Sequence, residues 1–250
     1  MKISVCGKGG SGKSTLVTLL ANVAQRRGIR VLVVDSDESN AGLYRLLGFN
    51  QPPRALMELV GGKKNLKEKM GQPNILVEKQ IPLEHIPPQH VRSKNGLMLV
   101  SIGKILQALE GCACPMGVLN REFLKKLHLG ENEIAIIDME AGVEHFGRGI
   151  DTSIDKVLLV VEPSLESIIL AERIKNLAGD IKKGFWAVLN KINSEDLASK
   201  LRSELKKRGI DVIGVLPNDP VIFEACLEGR AFGQGEAARA AENILDALLP

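Results

Sequence analysis

Gly7-Lys8-Gly9-Gly10-Ser11-Gly12-Lys13-Ser14-Thr15 is the run of this chain whose residue types and spacing most clearly imply chemistry, and it satisfies GxxxxGK[ST]. Glycines at these positions let successive backbone N–H groups turn inward on a polyphosphate. A helix starting near Lys13 adds its positive end to the same anion. Lys13 then supplies a point charge to the β- and γ-phosphates, and the Ser14 hydroxyl a ligand for Mg²⁺. Gly9, Gly10, Ser11, Gly12, Lys13, Ser14 and Thr15 are therefore the expected nucleotide-binding residues. Lys2-Ile3-Ser4-Val5-Cys6 in front reads as a buried strand. Leu16, Leu19, Leu20, Val23 and Ala24 behind recur at helical spacing.

The elements that must position this loop follow the same alternation. Arg30 to Asp35 is short and almost wholly apolar, as expected of a parallel strand covered on both faces, and it delivers Asp35 and Asp37 to the carboxyl edge of a sheet. Open α/β sheets bind ligands at that edge, although either carboxylate could instead cap the next helix. Further strands are expected at Leu97–Ile102, Ile134–Asp138, Lys156–Val161 and Gly184–Leu189, with helices over 164–178 and 194–208. This order predicts one α/β domain over 1–250, a doubly wound, mostly parallel sheet flanked by helices. Six prolines interrupt 51–89, which reads as a surface excursion with short helices, a hairpin-like strand pair and a basic run from Lys63 to Lys69 that is usually a solvated face. His85 and His90 read as surface residues there. The helix near 236–249 carries Glu236, Arg239, Glu242 and Asp246 rather than a basic face, so it is expected to pack back on the domain.

Composition narrows the class. A formal charge of +3 on 250 residues does not by itself imply nucleic acid or membrane, and aromatic residues at 3% leave few side chains for bases to stack on. The first residues already form the strand before the loop and no apolar run reaches the length of a membrane span, so a cytoplasmic location with no membrane or nucleic-acid partner is expected. Four cysteines in such a chain point to metal or redox chemistry rather than a disulfide framework.

The order K-G-G-x-G-K-[ST] at Lys8 to Ser14 resembles the deviant Walker A loop of the MinD/ParA group of P-loop ATPases, which includes the nitrogenase iron protein. The resemblance implies that Lys8 reaches across a dimer interface to the partner's nucleotide, doing what an arginine finger does elsewhere. It implies that Asp37 orients the attacking water and that Asp138, ending a Walker B-like strand, holds a water on Mg²⁺. Gly142 would sense the γ-phosphate. Asn190-Lys191 and the Pro217-Asn218 pair within Leu216 to Asp219 resemble the group's base-contacting segments.

Gly111-Cys112-Ala113-Cys114-Pro115 separates the chain from most of that group. Helical residues two apart point about 200° from each other, so a helical C-x-C could not grip one ion. In an extended segment both thiols can face one side. Pro115 suits the first turn of a helix running on through Met116, which would place the pair just before a helix N-terminus, where thiolate is favoured. Two sulfurs are too few for a closed site, but a two-fold dimer supplies Cys112 and Cys114 twice. Cys6 and Cys226 read as core residues. The phosphate loop, the C-A-C pair and Asp138-Met139-Glu140-Ala141-Gly142-Val143-Glu144-His145 together resemble the CooC-type accessory ATPases, which mature carbon monoxide dehydrogenase. The resemblance implies an ATP- and Mg²⁺-dependent homodimer that holds Ni²⁺, with Zn²⁺ possible in the same site, and inserts nickel into apo carbon monoxide dehydrogenase or a related nickel enzyme. A positioning ATPase acting on membrane or DNA, and an iron-sulfur ATPase like the nitrogenase iron protein, are the alternatives. The physiological metal does not follow from two thiolates, and His145, which could act as a relay or lend a ligand, reads first as a structural histidine.

Overall fold

The computed structural model describes residues 1–69, 75–104, 114–140, 150–180 and 182–249. Strand β1 (Lys2–Gly7) leads through the glycine loop into α1 (Lys13–Arg26), and β2 (Arg30–Asp35) follows. After α2 (Leu43–Leu46), a 3₁₀ turn (Leu56–Val60) and α3 (Gly62–Glu68), the chain forms β3 (Ile81–Pro82), β4 (Arg92–Lys94) and β5 (Leu97–Ser101). Next come α4 (Cys114–Lys126), β6 (Leu127–His128), β7 (Glu133–Asp138), β8 (Lys156–Val161) and α5 (Leu165–Asp180). The remainder is β9 (Gly184–Ile192), α6 (Glu195–Lys207), β10 (Val212–Pro217), α7 (Pro220–Glu228) and α8 (Glu236–Leu248).

The main sheet has the order β10-β9-β8-β1-β7-β2-β5-β4, parallel throughout except for the edge strand β4, which runs antiparallel to β5. Apolar runs without polar alternation are what such a sheet needs, because successive side chains enter opposite cores. Ile3, Val5, Val31 and Val33 face α1 and α8, whereas Cys6, Leu32 and Val34 face α4, α5 and α6. The doubly wound fold expected from the alternation is the fold observed. Register sets the site: Val5 pairs with Asp138, and Asp138 with Asp35, so the ends of β1, β7 and β2 lie side by side at the carboxyl edge.

Several local expectations are corrected. The strand pair of the excursion is not a hairpin: β3 pairs in parallel with β6, while the antiparallel partner of β5 is β4. His90 is buried, its Nδ1 lying 3.1 Å from the carbonyl oxygens of Arg54 and Ala55, so it staples the excursion from inside. Helix α4 begins at Cys114, not after the cysteine pair, since Pro115 in a first helical turn forfeits no intrahelical bond. Cys226 is exposed on α7, where Phe223 and Leu227 also face outward, whereas Cys6 is fully buried as expected. Neither Asp35 nor Asp37 caps a helix, α2 having no side-chain cap. The C-terminal helix does pack back, burying Ala237, Ala241, Ile244, Leu245 and Leu248.

Candidate functional site

The phosphate loop is shaped by contacts that exclude side chains. A Cβ on Gly7 would lie 2.7 Å from the Val160 carbonyl oxygen, and one on Gly12, where φ is +97°, would lie 2.1 Å from Asn190 Nδ2. Gly12 is the N-cap of α1 and offers no side chain to the first turn, which holds no acidic residue. The orphan N–H groups there face an anion's place with nothing from the chain to neutralise them. Lys13 is buried and folds back so that its Nζ donates to the Lys8 carbonyl at 3.4 Å, while Ser11 N donates to the same oxygen at 3.1 Å. Ser11 Oγ is buried with no partner among the described residues.

Below the loop, Ser14 Oγ donates to Asp138 Oδ2 at 2.6 Å and accepts from Asn40 Nδ2 at 2.7 Å. Asp138 is fully buried and its Oδ1 has no partner among the described residues. Burial, with Asp35 adding repulsion, pushes its carboxyl up to about 7, against the pull of Ser14 and Lys13. A buried carboxylate with one open oxygen beside a serine hydroxyl is a donor set suited to a hard cation such as Mg²⁺. Asp35 is pushed up to about 6 by burial, offset by Lys104, whose Nζ lies 2.7 Å from Asp35 Oδ1. Lys104 also donates to the carbonyls of Asp37 and Asn40, tying this segment to the end of β5. Asp37 Oδ1 accepts from Ser39 N at 2.9 Å and Ser39 Oγ at 2.6 Å, a local turn that fixes its carboxylate at the edge. Glu38 is held up by burial and by its neighbour Glu140, with which it shares a hydrogen bond.

Lys8 does not point at its own loop. Its Nζ pairs with Glu162 Oε1 at 3.3 Å, and Lys191 Nζ pairs with Glu162 Oε2 at 2.9 Å while donating to the Gly10 carbonyl at 2.7 Å. Hydrogen bonding from Lys191, seconded by Lys8 and opposed by burial, holds Glu162 below the usual carboxylate range. Asn190 Nδ2 donates to Ser11 O at 2.8 Å, and Lys191 adopts the left-handed φ of +61° inside β9, which therefore extends past Leu189. Pro217 ends β10, and Asn218 N donates to Ile192 O at 2.8 Å, bringing that segment beside Asn190. Thr15 Oγ1 lies 3.9 Å from Cys226 Sγ, linking α1 to α7.

Lys8, Gly9, Gly10, Ser11, Gly12, Lys13, Ser14, Thr15, Asp37, Asp138, Asn190, Lys191, Pro217 and Asn218 thus gather at or beside one edge of the sheet. Cys112, Gly142 and His145 lie outside the described residues, and Cys114 is placed only as the first residue of α4. Among the described residues no three His, Cys, Asp or Glu side chains are grouped to hold a metal. Sequence reasoning missed Asn40, Lys104 and Glu162. Lys104 and Glu162 each stand just past a parallel strand, which was the available signal.

A family profile, the CobQ/CobB/MinD/ParA nucleotide binding domain, matches residues 3–232. An uncharacterised ATP-binding protein of Methanocaldococcus jannaschii is 42% identical over 234 residues, 92% of each chain. The carbon monoxide dehydrogenase accessory protein CooC of Rhodospirillum rubrum is 33% identical over 233 residues, 90% of this chain and 86% of that one. Among solved structures, the septum site-determining protein MinD of Pyrococcus horikoshii, complexed with Mg-ADP, superposes with a TM-score of 0.71 at 19% identity, covering 99% of this chain and 95% of its own. That likeness is one of fold. With the phosphate loop, the Ser14–Asp138 pair and the parallel sheet in place, the chain belongs to the CobQ/CobB/MinD/ParA nucleotide-binding family and is a P-loop ATPase that takes Mg²⁺ with its nucleotide.

Proposed function

We propose that this ATPase is a nickel donor: a homodimer that holds Ni²⁺ between the Cys112 and Cys114 thiolates of both subunits and releases it to apo carbon monoxide dehydrogenase or a related nickel enzyme. The observation that carries the reading is the Cys112-Ala113-Cys114 sequence, whose second cysteine begins α4, in a chain 33% identical to a carbon monoxide dehydrogenase accessory protein. Four thiolates meet the preference of Ni²⁺ with soft donors for four ligands, and Zn²⁺ accepts the same set. All 250 residues act as one ATPase domain.

The site divides the work as follows. Backbone N–H groups of Gly9 to Thr15 hold the phosphates, with Lys13 on the β- and γ-phosphates. Ser14 and, through a water, Asp138 would hold Mg²⁺, which would supply positive charge at the transferring phosphoryl group. Asp37 orients the attacking water, Gly142 reads the γ-phosphate, and Asn190, Lys191, Pro217 and Asn218 contact the base. Lys8 leaves Glu162 on dimerisation and reaches the partner's phosphates. Closure of two subunits around ATP changes the spacing of the two C-x-C segments, and with it the metal affinity.

Elemental analysis after loading with limiting Ni²⁺, with mass followed by light scattering, tests this. About one nickel per dimer, lost in the Cys112→Ser, Cys114→Ser double variant and altered by nucleotide, is expected. No thiol-dependent metal in any nucleotide state would sink the reading in favour of a positioning ATPase, and a thiol-bound brown chromophore would favour an iron-sulfur one.

A further inference from the structure

A second cavity opens at the amino edge of the sheet, away from the phosphate loop, with a volume of about 330 Å³. This is at the small end of the roughly 300–1,000 Å³ typical of ligand pockets. Its floor is apolar, built by Leu19 of α1, Leu97 of β5 and Phe232 of the α7–α8 turn. Its rim is polar, with Arg26, Lys94 and Gln234. Among the described residues two cations and no carboxylate line it, and the exposed Lys94 ammonium has no partner, whereas Arg26 is engaged by Glu242 at 3.1 Å. The walls are held in place: Gln25 Nε2 donates to the carbonyls of Lys94 and Asn95 at 2.9 and 3.0 Å, pinning the β4–β5 turn to α1. We infer that this cavity binds a small organic anion with an apolar body, its charge on Lys94 and its body against Phe232, and that its occupancy shifts nucleotide affinity.

The second half of the inference follows from what the walls connect. Helix α1 runs from the cavity at Arg26 to the phosphate loop at Lys13. Leu47 and Gly48, also in the lining, end the α2 segment that starts just after Asn40, the donor to Ser14 Oγ. A Cβ on Gly48 would lie 3.6 Å from Ala231 Cβ, so the end of the α2 segment meets the turn that leaves α7, and α7 reaches Thr15 through Cys226. A ligand wedged between α2 and that turn acts on two of the segments that touch the nucleotide site. Coupling of this kind is reciprocal, so the anion and Mg·ADP change each other's affinity by the same factor. None of this depends on the nickel reading.

The experiment titrates the full chain with phenylacetate, following backbone amide resonances of Gly48, Asn95 and Gly233, with phenylacetamide and inorganic phosphate as controls. Saturable shifts confined to these positions, with the amide and phosphate each binding at least about tenfold more weakly, are expected, as is an about tenfold loss in Lys94→Ala. Saturating phenylacetate should also shift the Kd for Mg·ADP by about fivefold or more. Absence of saturable shifts would overturn the inference, and so would equal binding of phenylacetamide or of phosphate alone, undiminished binding to Lys94→Ala, or an unchanged Kd for Mg·ADP. Lys94 is an exposed residue at the end of the edge strand β4, so its loss leaves the fold intact.

Discussion

The two edges of the parallel sheet treat their polar groups in opposite ways. At the amino edge many are paired: Arg30 with Glu133 at 2.5 Å, Lys2 N with Asp155 at 2.7 Å, Asn132 Nδ2 with the Gly28 carbonyl at 3.0 Å. At the carboxyl edge they are buried and left open. Six buried side-chain atoms lack a partner among the described residues, and four of them (Ser11 Oγ, Ser36 Oγ, Ser101 Oγ and Asp138 Oδ1) lie at that edge. An unsatisfied buried polar atom costs about 1–3 kcal/mol, so such clustering marks where the fold gives up stability to be ready for a ligand. One edge is built for the protein and the other for its nucleotide.

Substitutions at the two edges should therefore separate activity from stability. The largest effect expected is at Lys8: Lys8→Ala lowers ATP turnover by about 10³-fold or more, the range of a finger residue, while the melting temperature stays put, as phosphate release and thermal melts will show. Asp138 comes next and gives a pH dependence of definite sign. Its carboxyl moves from an ordinary 3.8 to about 7 in the fold and that of Asp35 from 3.8 to about 6. The folded state thus binds more protons than the unfolded chain between about 4 and about 7, and the nucleotide-free protein loses stability as pH rises through that window. Urea unfolding at stepped pH should show this decline, flattened in Asp138→Asn, while Mg·ADP affinity rises over the same range because the bound state needs the ionised carboxylate. An affinity that falls with pH would contradict the assignment.

Smaller effects sharpen the contrast. Lys8 and Glu162 form a half-exposed pair of the kind worth about 1 kcal/mol or less, so Glu162→Gln should free Lys8 and raise turnover by up to about fivefold. A turnover drop matching that of Lys8→Ala would instead make Glu162 part of the chemistry. At the amino edge, Arg30→Ala should cost about 1 kcal/mol or less in urea unfolding and leave turnover untouched.

Much of the carboxyl edge was legible because its residues sit in local patterns. The loop from Gly7 to Thr15 lies between a strand and a helix, and Asp35 and Asp138 end apolar runs whose parallel pairing places them together. Asn40, Lys104 and Glu162 were not legible in the same way, because their partners are 26, 69 and 154 residues distant and only the tertiary fold introduces them. Cys226 shows a different limit. Its helix is apolar on more than one face, so composition could not tell which face is covered, and the thiol lies outside. The pairing of β3 with β6 spans 46 residues and has no turn signal. Strand β9 ran past Leu189 because the lone left-handed Lys191 does not break pairing with β10, which resumes at Ile192.

On the proposed function, ATP turnover at one edge of the sheet drives nickel out of the C-x-C segment and into a client. Nickel transfer to apo carbon monoxide dehydrogenase tests it most directly, with the loaded protein as sole nickel source and nickel counted in the re-isolated client. Transfer is expected to require Mg·ATP, to fail with Lys8→Ala and to be absent from the Cys112→Ser, Cys114→Ser double variant. Equal transfer without nucleotide, or from the double variant, would contradict it.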